Sequence, residues 1–147
     1  MKPVLYPSQE TAFGSNGLGV LTDAASCVII EERNGAFELE MTYPVSGIHY
    51  KEIAPRCIIL AKPNPLDDPQ PFRVYRTTKP MGGLVTIYGE HISYDLAGVP
   101  ASPFAAESAP AAMEKLKSSS ALPTPFCFWT DMSTAGTMAI TDPEALL

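Results

Sequence analysis

At 147 residues, the chain can bury roughly two thirds of its unfolded surface, in one core or in two small ones. Its apolar fraction of 46% against 18% charged residues excludes a disordered acidic tail. A formal net charge of -6, with no clustered Lys or Arg, excludes a basic surface for reading nucleic acid.

The longest unbroken apolar run, Cys57 to Ala61, is far short of the roughly 20 residues that cross a bilayer. The N-terminus offers no basic stretch followed by an apolar segment, which points away from Sec export. Three cysteines at wide spacing, Cys27, Cys57 and Cys127, make neither a disulfide framework nor a zinc site. Cys27 and Cys57 lie in apolar runs and read as small buried hydrophobes, consistent with synthesis in a reducing cytoplasm.

Fifteen prolines and ten glycines are scattered along the chain and leave little room for helices, so strands are expected. After a polar opening, Asn16 to Leu21 turns the chain and Ser26 to Glu31 forms an apolar, β-branched strand. Asn34-Gly35 predicts a type I′ hairpin turn, because both central residues of that turn need positive φ. In the strand that follows, Phe37, Leu39, Met41 and Tyr43 alternate with Glu38, Glu40 and Thr42, so one face is core and the other acidic. The acidic hairpin face is read as Glu31, Glu32, Glu38 and Glu40. Pro44 ends the strand, having no amide to donate.

Further strands are expected at Cys57 to Lys62, Phe72 to Thr78 and Leu84 to Gly89, with Met81-Gly82-Gly83 as the turn before the last. The loop Pro63 to Pro71 holds four prolines and two aspartates and should project as a stiff, solvated connection. Near residue 100 the composition shifts to Ala, Ser and Pro. A helix is predicted from Ser108 to Lys117, with Ser108 as cap, Pro110 in the first turn and Met113 and Leu116 on one face. Pro125 to Thr130 reads as an aromatic strand that packs a second core, with Cys127 inside it, and a weaker strand runs through Thr137 to Ile140. Asp142 and Pro143 spell a helix start continuing to Leu147. The fold class is therefore mainly β (α+β): an antiparallel barrel-like domain over residues 1–97, then the start of a small α+β domain over 98–147, in a fragment of a longer polypeptide.

Chemistry is sparse. His49 and His91 stand outside any zinc motif and read as structural residues. Glu90-His91 and Tyr94-Asp95 form a polar stretch after a strand, where His91 and Asp95 are expected to fix the strand exit. The Gly17-Leu18-Gly19 pattern lacks the strand and helix that frame a phosphate loop. The glutamates lack the ligand spacing of a calcium loop. No catalytic, cofactor-binding or metal-binding residue is assigned, and no cofactor is expected.

Asn16 to Ala24 (NGLGVLTDA), Cys27 to Pro44 (CVIIEERNGAFELEMTYP), His49-Tyr50, Pro69 to Tyr75 (PQPFRVY), His91 to Leu96 (HISYDL) and Pro125 to Thr130 (PFCFWT) occur in an order that resembles the N-terminal region of phage minor structural proteins. These are also called tail-associated lysins or prophage endopeptidase tail proteins. The resemblance implies a baseplate-hub-like domain at a siphophage-like tail tip, three copies of which form a ring, contact the distal tail protein and carry fibre or lytic extensions. In that family, peptidase activity lies in later segments, so the expectation is a virion structural protein and not an enzyme. Its expected partners are itself, as a homotrimer, and other tail proteins, with no specific nucleic-acid binding and no membrane span. The alternatives are a peptidoglycan hydrolase, with a carboxylate pair drawn from Glu31, Glu38, Glu40 and Asp95, and a carbohydrate-binding module using Phe126, Phe128 and Trp129.

Overall fold

The computed structural model describes residues 1–133 and 135–145. They form two compact units, Met1–Ile92 and Ser93–Leu147. The fold class is mainly β, a seven-stranded antiparallel half-barrel sheet plus a small second unit with one helix.

The first unit contains β1 (Val4–Tyr6), β2 (Gly19–Val20), β3 (Ser26–Glu31), β4 (Phe37–Pro44), β5 (Ile58–Ala61), β6 (Gln70–Thr77) and β7 (Leu84–His91). Their order across the sheet is β2-β1-β5-β6-β7-β4-β3. β1 replaces the expected polar opening: Val4, Leu5 and Tyr6 are all buried. Three residues are too few to display a periodicity, so only pairing with β2 and β5 distinguishes them from a loop.

One face carries the main core. Leu39, Met41 and Tyr43 of β4 join Leu5, Ile59, Phe72, Val74, Val85 and Ile87 in one cluster, with Phe37 partly buried at its margin. The cluster draws on β1 and β4, which are separated by β5, β6 and β7, so the sheet must curl to bring them into one core. The alternation in β4 is what places these side chains together. A smaller cluster, Val4, Tyr6, Ile58 and Leu60, packs on the opposite face with Phe13 and Ile92. Tyr6 ties down the segment above it, its hydroxyl donating to the carbonyls of Phe13 and Ser15 and its ring meeting Phe13 edge to face at 5.2 Å.

Two turns exchange roles relative to expectation. At the β3–β4 connection only Asn34 has positive φ, at 58°, and Gly35 does not. The Gly35 amide donates to the Glu32 carbonyl and the Glu32 amide to Ala36, so the link is three residues long and not a type I′ turn. The two-residue turn with both central residues left-handed is Gly82-Gly83, at φ 60° and 79°, closed by reciprocal Met81 and Leu84 hydrogen bonds of 2.9 and 3.1 Å. Its mirror-image geometry matches the twist of a tight hairpin.

The second unit holds β8 (Pro100–Ala101), β9 (Phe104–Ser108), α1 (Ala109–Ser119), β10 (Ala135–Ile140) and β11 (Glu144–Ala145). Ser108 caps α1 as expected, its hydroxyl accepting the Ala111 amide at 3.3 Å. The helix buries Ala109 and Ala112, while Met113 and Leu116 are only half-buried. β10 pairs with β9 and extends the weak strand expected at Thr137 to Ile140.

Two expectations fail in this unit. Pro125 to Thr130 is no strand: its residues alternate in exposure, but no ladder among the described residues takes them up. Prolines at 123 and 125 remove two amides from any such pairing. Trp129 is 78% exposed and Cys127 is also exposed, so neither fills a second core. The helix start expected at Asp142 is instead β11, which pairs with β8 through Glu144↔Ala101 and Ala145↔Pro100. A strand partner outweighed a capping signal worth about 1 kcal/mol. Leu146 and Leu147 lie outside the described residues.

Candidate functional site

The feature that local sequence signals did not foretell is where β3 sits. Its four central residues, Cys27 to Ile30, are apolar without alternation, a pattern that normally marks a strand covered on both faces. The topology nevertheless leaves β3 as the last strand of the sheet. Cys27 and Ile29 pack at the margin of the main core. Val28 and Ile30, on the opposite face, are 54% and 48% exposed.

Edge strands are commonly protected by short length, proline, a bulge or lysine. β3 is six residues long and pairs with β4 in unbroken register from Ser26↔Thr42 to Glu31↔Phe37. It contains no proline and no lysine, and its one charge, Glu31, is at its end. Alternate residues of such a strand aim amides and carbonyls away from the sheet, leaving a ready template for another strand.

The register also divides the glutamates. Ile30 lies beside Glu38 and Val28 beside Glu40, whereas Glu31 lies opposite Phe37 on the core side and Glu32 belongs to the turn. The acidic face is thus Glu38 and Glu40, not all four hairpin glutamates. Across the next ladder Glu38 meets Glu90 and Glu40 meets Tyr88. Like charges in direct cross-strand positions are unfavourable, and among the described residues neither Glu38 nor Glu40 makes an ion pair.

A bulge in β6, between Val74 and Arg76, turns both Tyr75 and Arg76 out of the core. Arg76 lies over the Tyr88 ring at 4.0 Å, and Tyr75 stands 6.3 Å from the same ring. Together with Ile30, Glu38 and Glu40 they line a recess of about 150 Å³. Burial pushes the Tyr75 phenol above its ordinary value and the Glu38 carboxylate adds to the shift. The open edge therefore runs beside a small hollow lined by two tyrosines, two glutamates and Arg76.

The other residues singled out from the sequence occupy framework positions. His49 lies close above Gly19, where a Cβ would strike its ring, and its Nδ1 pairs with Glu52 at 2.5 Å. Asp23 accepts the Ile48 amide at 2.9 Å, and Tyr43 accepts the His49 amide at 3.4 Å. Burial is the main reason the Tyr43 phenol is raised. These contacts fasten the segment after β4 to the strand region before β3.

His91 is stacked on Phe37 at 4.6 Å and faces Gln70 Oε1 at 3.2 Å. Burial holds its pKa below the ordinary value. Cys57 is buried and Cys27 half-buried, with burial pushing the Cys27 thiol up to about 11. The proline-rich loop is organised by Asn64, whose Oδ1 accepts the Leu66 and Asp67 amides at 2.9 and 3.0 Å, and it presents Leu66 at 95% exposure. Among the described residues no three metal-ligating side chains converge, and no helix is long and apolar enough to cross a membrane.

No protein-family model, curated protein or solved structure matches this chain.

Proposed function

We propose that this chain is a structural component of a phage or prophage tail tip, at the baseplate-hub end, that works by assembling with copies of itself and with neighbouring tail proteins such as the distal tail protein. The observation that carries this reading is the β3 edge. It belongs to the longest stretch of the family resemblance, Cys27 to Pro44, and it is apolar on both faces while open on one side. Covering the exposed halves of Val28 and Ile30 would contribute roughly 1 kcal/mol each, before any main-chain hydrogen bonds are counted.

In this reading the histidines, the cysteines and the Asp23–Tyr43 cluster are framework and not catalytic. Peptidase activity, where the family has it, lies in other segments. Sedimentation of the whole gene product tests the proposal. The expected result is a trimer that joins isolated tail-tip proteins, and a strict monomer at high concentration that joins none of them would sink it. Release of soluble fragments from peptidoglycan by this chain would overturn the non-enzymatic part.

A further inference from the structure

We propose that the open side of β3 receives an extended polypeptide segment in which apolar residues alternate with lysine or arginine, added as an eighth strand with its cationic side chains over the Glu38–Glu40 face. This deepens, and rests on, the reading of the chain as an assembly part. It commits to the chemistry of the segment that docks.

The two faces of β3 ask for different side chains. On the core side, Cys27 and Ile29 are half-buried, and Phe37 beside them is covered only in part, so apolar residues of an added strand would complete that margin. On the other side, an added residue would first cross the aliphatic Val28 and Ile30 and then reach Glu38 and Glu40 one strand further in. Lys and Arg suit this path, because their stems lie along apolar surface while their charged ends extend beyond it.

The charge balance points the same way. Glu38, Glu40 and Glu90 face this area. The nearest cations are on β6. Arg76 is stacked on Tyr88, and Arg73, which stands directly across from Glu90, sends its Nη1 to the Ser8 and Arg56 carbonyls at 3.1 and 3.0 Å, so Glu38 and Glu40 are the carboxylates left for an incoming cation. A cation entering the hollow would pair with Glu38 and Glu40, neither of which makes an ion pair among the described residues, and would meet the Tyr75 ring, the Tyr88 ring being already covered by Arg76. A second copy of the same β3 would bring further carboxylates and no lysine or arginine, so it fits the hollow less well.

The test uses a capped ten-residue peptide alternating valine with lysine, and the same peptide with glutamate in place of lysine, titrated into the ¹⁵N-labelled chain. The expected result is saturable binding of the lysine peptide, with slowed amide exchange confined to Ser26–Glu31 and the residues bordering it. The paired substitution Glu38→Gln with Glu40→Gln lies on the surface, and should weaken binding roughly tenfold while leaving the amide spectrum of the core unchanged. Raising the salt concentration to half-molar should weaken it similarly. Absence of binding at millimolar peptide, equal binding of the glutamate peptide, or protection of β3 that rises with chain concentration alone would each overturn the inference. If the peptide fails while the whole product still joins tail proteins, the docking chemistry is wrong and the assembly reading stands.

Discussion

Gly17→Ala separates two costs that usually come together. Gly17 adopts φ 52°, a left-handed conformation costing an alanine roughly 1 kcal/mol. A Cβ there would also press on the Leu5 carbonyl oxygen and come within 2.8 Å of Tyr6 Cδ1. The carbonyl cannot retreat freely, since it accepts the Leu18 amide at 2.8 Å on a strand whose Leu5 and Tyr6 are fully buried. Losing that hydrogen bond and loosening the Tyr6 contacts adds about 1–2 kcal/mol, for a total near 2–3 kcal/mol.

Gly82→Ala supplies the control. Gly82 has a similar φ of 60°, but a Cβ there meets nothing within 4 Å, so only the conformational cost of roughly 1 kcal/mol remains. Urea unfolding of both variants, followed by the fluorescence and amide signals of the first unit, measures the difference. Equal destabilisation of the two would refute the claim that β1 sits against a backbone with no room to yield.

Three further outcomes are expected. Ser108→Ala should weaken the start of α1 by roughly 0.5–1 kcal/mol, seen as faster exchange of the Ala111 amide, and unchanged exchange there would show the cap to be idle. With Ellman's reagent, one thiol, Cys127, should react quickly in the folded chain, while Cys27 and Cys57 wait for unfolding; two or three fast thiols would contradict the burial. Because His91 has a folded pKa below its unfolded value, the unfolded chain takes up its proton first, so this residue's contribution to stability is present above about pH 6.5 and is lost as the pH falls below it. Urea midpoints for the chain and for His91→Gln should therefore converge between pH 7 and pH 5, and a constant gap would argue against a buried, neutral His91.

Much of the first unit could be read from local signals. The alternation Phe37, Leu39, Met41, Tyr43 is a direct imprint of a sheet with one buried face, and Leu39, Met41 and Tyr43 do lie in the core with Phe37 at its margin. The Ser108 cap was similarly legible, because a cap is made by residues three apart in the chain. Signals failed where a distant partner decided the outcome. β1 is only three residues long and exists through its pairing with β2 and β5, and the apparent helix start at Asp142 yields to pairing with β8. The aromatic run at Pro125 to Thr130 has strand composition but finds no ladder, so Cys127 and Trp129 remain exposed.

The candidate site shows the same division. Sequence by itself determined that β3 would be apolar and that β4 would carry glutamates on one face, because both are properties of composition and period. Tertiary structure alone decided that β3 ends the sheet and that Ile30 rather than Glu31 stands beside Glu38. It also decided that a bulge in β6 turns Tyr75 and Arg76 toward Tyr88. The physical reason is that strand order and register are set by which long-range ladder closes, and a strand's own residues do not record whether its second edge is filled.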